Sequence, residues 1–155
     1  MKSAEETFIS STFWTERIGP TAALKTLEVM DRIKSWELIT NTGKDIGNQW
    51  KNLGEKYQLP IKVNGLPSMT GFSIQSDDWL KYKTYITQEM LKNNILASNV
   101  IYVCTEHGTL EIDNYFQILD PIFKVIAACE NGDLSVCLLY TSPSPRDQRG
   151  SRVAS

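Results

Sequence analysis

Apolar positions along this chain recur with two different periods, and the changes between them mark out the elements. After the Gly19-Pro20 step, Ala23, Leu27 and Met30 return at helical spacing. Proline suits the first turn of such a helix, because the amide it lacks would have had no partner there. Ile39, Thr42, Ile46, Trp50, Leu53 and Tyr57 then step by three and four up to Pro60. They form one stripe, read as a second consecutive helix or as the continuation of one long bent helix. Gly43 and Gly47 interrupt the stripe at about 1 kcal/mol each against alanine, too little to reject it.

Beyond Pro60 the period shortens. Ile61 to Val63 and Met69 to Ile74 read as two strands separated by an Asn-Gly-Leu-Pro turn cluster, an irregular antiparallel pair. Ser76 followed by Asp77 and Asp78 reads as a cap with first-turn acids, and Trp79, Tyr82, Ile86 and Met90 as the buried face of a third helix. Asn99 to Val103 is a short apolar strand. Gly108 or Thr109 caps a last helix whose face is Ile112, Phe116, Leu119, Phe123 and Ile126, with Asn131-Gly132 as its stop. Pro121 within it predicts a kink or break near Asp120. The order predicts an α+β fold, with a small, mainly antiparallel sheet covered on one face by helices.

Composition removes several classes of function. With 155 residues, 41% hydrophobic and 22% charged, the chain fits one ordinary globular unit. A formal charge of −2 with interspersed signs leaves no basic stripe, so no nucleic acid is expected as a partner. No apolar run approaches the roughly 20 residues that span a bilayer, and the start "MKSAEETF" has no apolar core of a secretory signal. A cytoplasmic location without membrane attachment is the expectation. Cys104, Cys129 and Cys137 are an odd number without CxxC spacing, which argues against a disulfide framework and against a metal site. From Cys137 the sequence "CLLYTSPSPRDQRGSRVAS" loses all periodicity and becomes rich in Ser, Pro and Arg. It reads as disordered, and "CLLYTSPSPRD" resembles a translated transposase sequencing adapter. Residues 137-155 are therefore expected to be an artefactual tail in which Cys137, Arg146, Arg149 and Arg152 carry no function.

The run "FISSTFWTERIGPTAALKTL" (8–27), the strand "PSMTGFSI", the helix end "MLKNNIL" and the segment "EHGTLEIDNYF" together resemble the class III pyridoxal-phosphate-dependent aminotransferases, in particular glutamate-1-semialdehyde aminomutase and its relatives. The resemblance covers nearly all of residues 1 to 134. It implies the C-terminal small domain of a fold-type I enzyme, preceded by the long interdomain helix. Residues 1-19 would end the large, cofactor-binding domain as an interface loop, and 20-136 would hold the interdomain helix and the small domain. It further implies pyridoxal 5'-phosphate as cofactor, a homodimer, and a small-molecule amino donor and acceptor.

By that resemblance Thr12, next to Ser11, binds the cofactor's phosphate through its hydroxyl and backbone N–H from across the dimer interface, as suits a polar loop leading into a helix. Taken alone, a Ser-Ser-Thr loop before a helix is more often a cap or a turn. Many class III enzymes carry a Gly-Asn-Pro step where this chain has Glu16 and Arg17, so Trp14, Glu16 and Arg17 are candidates for the substrate entrance. Glu16 and Arg17 as a surface or interface ion pair is the competing reading.

His107 is the only histidine, yet no nucleophile with a paired base can be identified near it, and the turn before the last helix is its expected place. Cys104 with His107 is too little for a metal. Asp77-Asp78 and Glu111-Asp113 read as helix-start acids. "TGKD" at Thr42 to Asp45 lacks the rest of a phosphate loop.

Amino-group transfer on this cofactor needs a lysine that binds the aldehyde covalently and an acid on the pyridine nitrogen. In the family both precede the matched segment, and Lys2 lies too close to Thr12 to be that lysine. The expectation is a fragment with no catalytic residue of its own, inactive alone. The alternative is a standalone α+β binding or interaction module without a cofactor.

Overall fold

The computed structural model describes residues 16–135, in two units that divide between Trp36 and Glu37. The described residues form four helices and a three-stranded sheet: α1 (Ile18–Ile33), α2 (Ser35–Tyr57), β1 (Ile61–Leu66), β2 (Met69–Ile74), α3 (Trp79–Lys92), β3 (Val100–Tyr102) and α4 (Thr109–Glu130). This is the α+β architecture that the periodicity predicts.

In the first unit, α1 carries Gly19 and Pro20 in its first turn and buries none of its residues. It ends at Lys34, whose backbone is left-handed (φ 50°, ψ 47°). That conformation usually falls to glycine or asparagine after a helix, because a Cβ crowds the following carbonyl. Two helices, separated at this residue, replace the single bent helix that the sequence left open.

The second unit is built on the sheet, in the order β1-β2-β3 with both pairings antiparallel. Ile61 pairs with Ile74 and Leu66 with Met69, so β1 runs three residues beyond the predicted Val63. The turn is therefore Pro67-Ser68, and Asn64-Gly65 lie within the strand. Gly65 has a φ of 89° and faces the Met69 carbonyl, an approach that leaves no room for a Cβ. Strand β3 pairs Thr70 with Ile101, within the predicted Asn99 to Val103.

Helices cover the face of β2 that carries Phe72. This ring, fully buried, lies 4.8 Å from Trp50 of α2, 5.7 Å from Phe123 of α4 and 5.9 Å from Trp79 of α3. Ile46, Trp50 and Leu53 continue the predicted stripe into the core, as do Tyr82, Ile86 and Met90 of α3. Gly43 and Gly47, which the sequence reading counts only as helix weakeners, are buried on the inner side of α2. A Cβ on Gly43 would meet the Pro67 backbone, and one on Gly47 would reach Val63 and Thr70. The helix contains these glycines because its backbone lies directly against the hairpin.

Three local expectations need correction. The N-cap of α3 is Asp78, so Asp77 and Asp78 precede the helix instead of filling its first turn. Ser76 Oγ is taken up by accepting the Asp78 N–H (3.1 Å) and by donating to Glu130 (2.7 Å). Helix α4 runs from Thr109 to Glu130 through Pro121 without a break. Pro121 and Gln117, whose carbonyl loses its i+4 donor, both lie on the exposed side, where solvent can satisfy that carbonyl. Finally, the buried face of α4 includes Tyr115 and Ile122, while Ile112 and Phe116 are only partly covered. Tyr115 is drawn inward because its hydroxyl accepts the Trp50 Nε1–H at 3.2 Å, which satisfies the tip of an otherwise apolar ring.

Candidate functional site

Of the residues that the sequence singles out for the cofactor and the substrate entrance, Ser11, Thr12 and Trp14 lie outside the described residues. Glu16 and Arg17 are described. Arg17 is exposed and occupies the N-cap of α1, without a side-chain cap bond. Its carbonyl accepts the Thr21 N–H at 3.0 Å. The Glu16 carboxylate leans over the first turn, within 3.3 Å of where a Cβ on Gly19 would stand. Within the chain the two side chains form no ion pair with each other.

His107 serves the turn before α4. Its Nδ1 accepts the Cys104 N–H at 3.3 Å, while the His107 backbone N–H donates to the Cys104 carbonyl at 3.2 Å. Those reciprocal bonds close a tight loop and leave Gly108 as the N-cap of α4. No group of three or more His, Cys, Asp or Glu among the described residues could hold a metal. Cys129 is buried. Loss of hydration, with the nearby Glu130 and Asp78 carboxylates, raises its thiol pKa.

Two polar clusters that the sequence reading did not single out tie the helices of the second unit together. Asp120 of α4 accepts from both Lys56 and Tyr57 of α2, and the hydrogen bond from Lys56 is the main cause holding its carboxyl below the ordinary value. Glu130 accepts from Tyr82 at 2.6 Å and from Ser76. Burial first, and then that carboxylate, push the Tyr82 phenol up. Both phenols therefore stay protonated as donors, and both clusters act as staples between elements distant in sequence. Nothing in single-residue spacing could have paired them, since 63 residues separate Tyr57 from Asp120.

Three depressions mark the surface of the second unit. One is a polar groove between α3 and α4, lined by Tyr85, Glu89, Asn93, Asn114 and Gln117. Another lies beside β3 and is mostly apolar, with Ile46, Ile95, Ala97, Ile101 and Tyr115 in its walls. A third, at the start of α3, collects Ser76, Asp77, Asp78, Tyr82 and Glu130. None of the three is lined by a lysine or arginine. A phosphorylated aldehyde needs an amine for its carbonyl and donors for its phosphate. The linings of these three depressions offer no such amine, and the residues that the resemblance assigns to the phosphate, Ser11 and Thr12, lie outside the described residues.

No family model matches the chain. Its sequence is 26% identical, over 109 residues, to the 3-aminobutyryl-CoA aminotransferase of Cloacimonas acidaminovorans (strain Evry), covering 67% of this chain and 26% of that enzyme. The chain thus spans about a quarter of the curated relative it matches. In fold it superposes on the pyridoxal-phosphate internal aldimine form of the FumI protein from Sphingopyxis sp. MTA144, with a TM-score of 0.67 and 15% identity. That match covers 89% of this chain and 34% of the other. Sequence and fold converge, in agreement with the resemblance read from the motifs: this chain is similar to one part of a pyridoxal-phosphate-dependent aminotransferase.

Proposed function

We propose that the chain is the C-terminal part of a class III aminotransferase that moves an amino group between small molecules using pyridoxal phosphate. One observation carries the reading: the sequence match to an aminotransferase and the fold match to a pyridoxal-phosphate enzyme each take in two thirds or more of this chain but only about a quarter to a third of the other protein. In this reading residues 1-19 close the cofactor domain, 20-136 form the interdomain helix and small domain, and 137-155 contribute nothing. Bound to the complete enzyme, the cofactor supplies an electron sink for the amino carbon. Thr12 and Ser11 hold its phosphate by hydroxyl and backbone donors across a homodimer interface, and Trp14, Glu16 and Arg17 border the substrate entrance. Transfer between two molecules is favoured over an internal aminomutase shift, because the curated relative is named as an aminotransferase. The cytoplasm is the compartment in this reading, consistent with a free Cys104 at the surface.

The chain alone is inactive in this proposal, since the lysine that binds the aldehyde belongs to the larger protein. Two measurements test it. Sequencing the gene upstream of Met1 is expected to reveal an open frame with a lysine in a strand and a Gly-rich segment. An in-frame stop beside a ribosome-binding site overturns the assignment to a larger enzyme. Mixing the full 155-residue chain with pyridoxal phosphate is expected to give no visible band from lysine-bound cofactor. A saturable band that survives dialysis overturns the claim that this part is incomplete.

A further inference from the structure

Strand β3 is an open edge: the order β1-β2-β3 puts no further strand beside it among the described residues. Its register fixes which groups face outward. Phe72 N–H donates to the Asn99 carbonyl and Val103 N–H to the Ser68 carbonyl, each at 2.9 Å, and Thr70 stands opposite Ile101. Because inward and outward groups alternate along a strand, Ile101 turns its amide and carbonyl to β2, while those of Val100 and Tyr102 point away from the sheet. Among the described residues these outward groups meet no hydrogen-bond partner.

An edge of this kind normally carries a device against pairing. The opposite edge has two, since β1 presents the charged, exposed Lys62 and the left-handed backbone of Gly65 (φ 89°). From Val100 to Tyr102 there is no charge, proline or positive φ, and no charged residue occurs between Asn93 and Thr105. That neutrality points to a particular occupant. Across a two-fold axis each residue lies near its own counterpart, so a charged edge repels its copy and a neutral one does not. The alternation fits as well. With Ile101 on the axis, Val100 of one copy falls opposite Tyr102 of the other, and each brings an outward N–H and C=O. Their shortness limits the two strands to four shared main-chain hydrogen bonds, so side chains must add to them.

The side chains are placed to do so. Val100 and Tyr102 are 38% and 73% exposed, on the sheet face that also carries Met69 and Leu66, each directly across from the next. Pairing brings each tyrosine beside the other copy's Val100, an aromatic and β-branched cross-strand pair. On the other face, the apolar hollow walled by Ile46, Ile95, Ile101 and Tyr115 also has Leu96 in its lining, 90% exposed. A hollow and a projecting leucine on one surface are what a self-complementary contact requires. The apolar surface involved is a few hundred Å², short of the about 800 Å² per partner of a standard interface. A micromolar affinity is therefore expected.

We infer that the free edge of β3 is a self-association site, at which two copies of the chain pair Val100 with Tyr102 in both directions about a two-fold axis and join their sheets into one. The residues are separate from those proposed to face the cofactor, and the inference stands whether or not the aminotransferase assignment does.

The test is sedimentation equilibrium of the full chain from about 1 μM to 1 mM, with amide hydrogen exchange measured at both ends of the range. The wild-type chain is expected to pass from one copy to two. The Val100 and Tyr102 amides should then exchange at least about tenfold more slowly than in the dilute chain, while the amide of Val63, opposite Phe72 on the other edge, stays unchanged. Val100→Pro removes an outward donor at the first residue of a strand, where proline leaves the ladder to β2 in place. It is expected to weaken association at least about tenfold without moving the urea midpoint of the dilute chain. Should that variant unfold, Tyr102→Lys alters a largely exposed side chain and is expected to weaken association equally, by setting like charges near the axis. A single copy at every concentration, a dimer in which the Val100 and Tyr102 amides exchange as fast as in the dilute chain, or an affinity that a folded variant leaves unchanged overturns the inference.

Discussion

Gly43→Ala and Gly47→Ala place the same methyl group on the same buried side of the same helix, and their effects on stability should have opposite signs. In a helix interior, alanine is favoured over glycine by about 1 kcal/mol. At Gly43 that gain meets backbone: a Cβ would stand 2.6 Å from the Pro67 carbonyl carbon and 3.0 Å from its Cα, and nearer still to its oxygen. No rotamer relieves a clash with main chain, so α2 and the hairpin turn must part by about 1 Å. Such overpacking typically costs 1–3 kcal/mol, with more lost where the separation opens voids beside Trp50 and Phe72. The expected net change is a loss of about 1 to 2 kcal/mol, or roughly 5 °C in Tm for a domain of this size. At Gly47 the nearest atom is the Val63 Cγ1 at 3.4 Å, an ordinary contact, so the helix-forming term survives and stability should rise by up to about 1 kcal/mol. Urea unfolding of the full chain, followed by tryptophan fluorescence, reads both, since Trp50 is completely buried. A Gly43→Ala chain as stable as wild type, or one more stable than Gly47→Ala, would falsify the claim that α2 lies directly on the hairpin.

Phe72→Ala should cost about 3–5 kcal/mol in the same unfolding experiment, because it empties the space between Trp50, Trp79 and Phe123; a loss under about 1 kcal/mol would show that these rings do not depend on it. Asp120→Asn should flatten the acid limb of the stability curve. The Asp120 carboxyl is held below its reference value of 3.8, chiefly by the Lys56 hydrogen bond, so its contribution is complete above that pH and fades as the pH falls through the lower, folded value. Unfolding midpoints measured from about pH 2.5 to 6 should fall less steeply toward acid in the variant, and identical slopes would remove Asp120 from the account. Tyr115→Phe leaves the Trp50 Nε1–H buried without its acceptor and should destabilise by about 1–3 kcal/mol; an unchanged midpoint would mean that this bond contributes nothing.

The order of elements was legible because periodicity reports one face at a time. Trp50, Ile86 and Leu119 sit on stripes whose spacing alone separates helix from strand, and all three are almost completely buried. What spacing cannot carry is the identity of the surface that a face meets. Gly43 and Gly47 look like defects in a helix until Pro67 and Val63 arrive beside them from the hairpin, and then their missing side chains become the reason the two elements can touch. Pro121 is the converse case. A breaker by its own chemistry, it is tolerated because the carbonyl it deprives lies on the solvent side. The same limit governs the site. A threonine loop takes its role from the phosphate it would meet, and nothing in Thr12 itself distinguishes that role from a helix cap. For the glycines the role is a property of the pair, and the second member, the hairpin, lies some twenty residues further along the chain, out of reach of spacing.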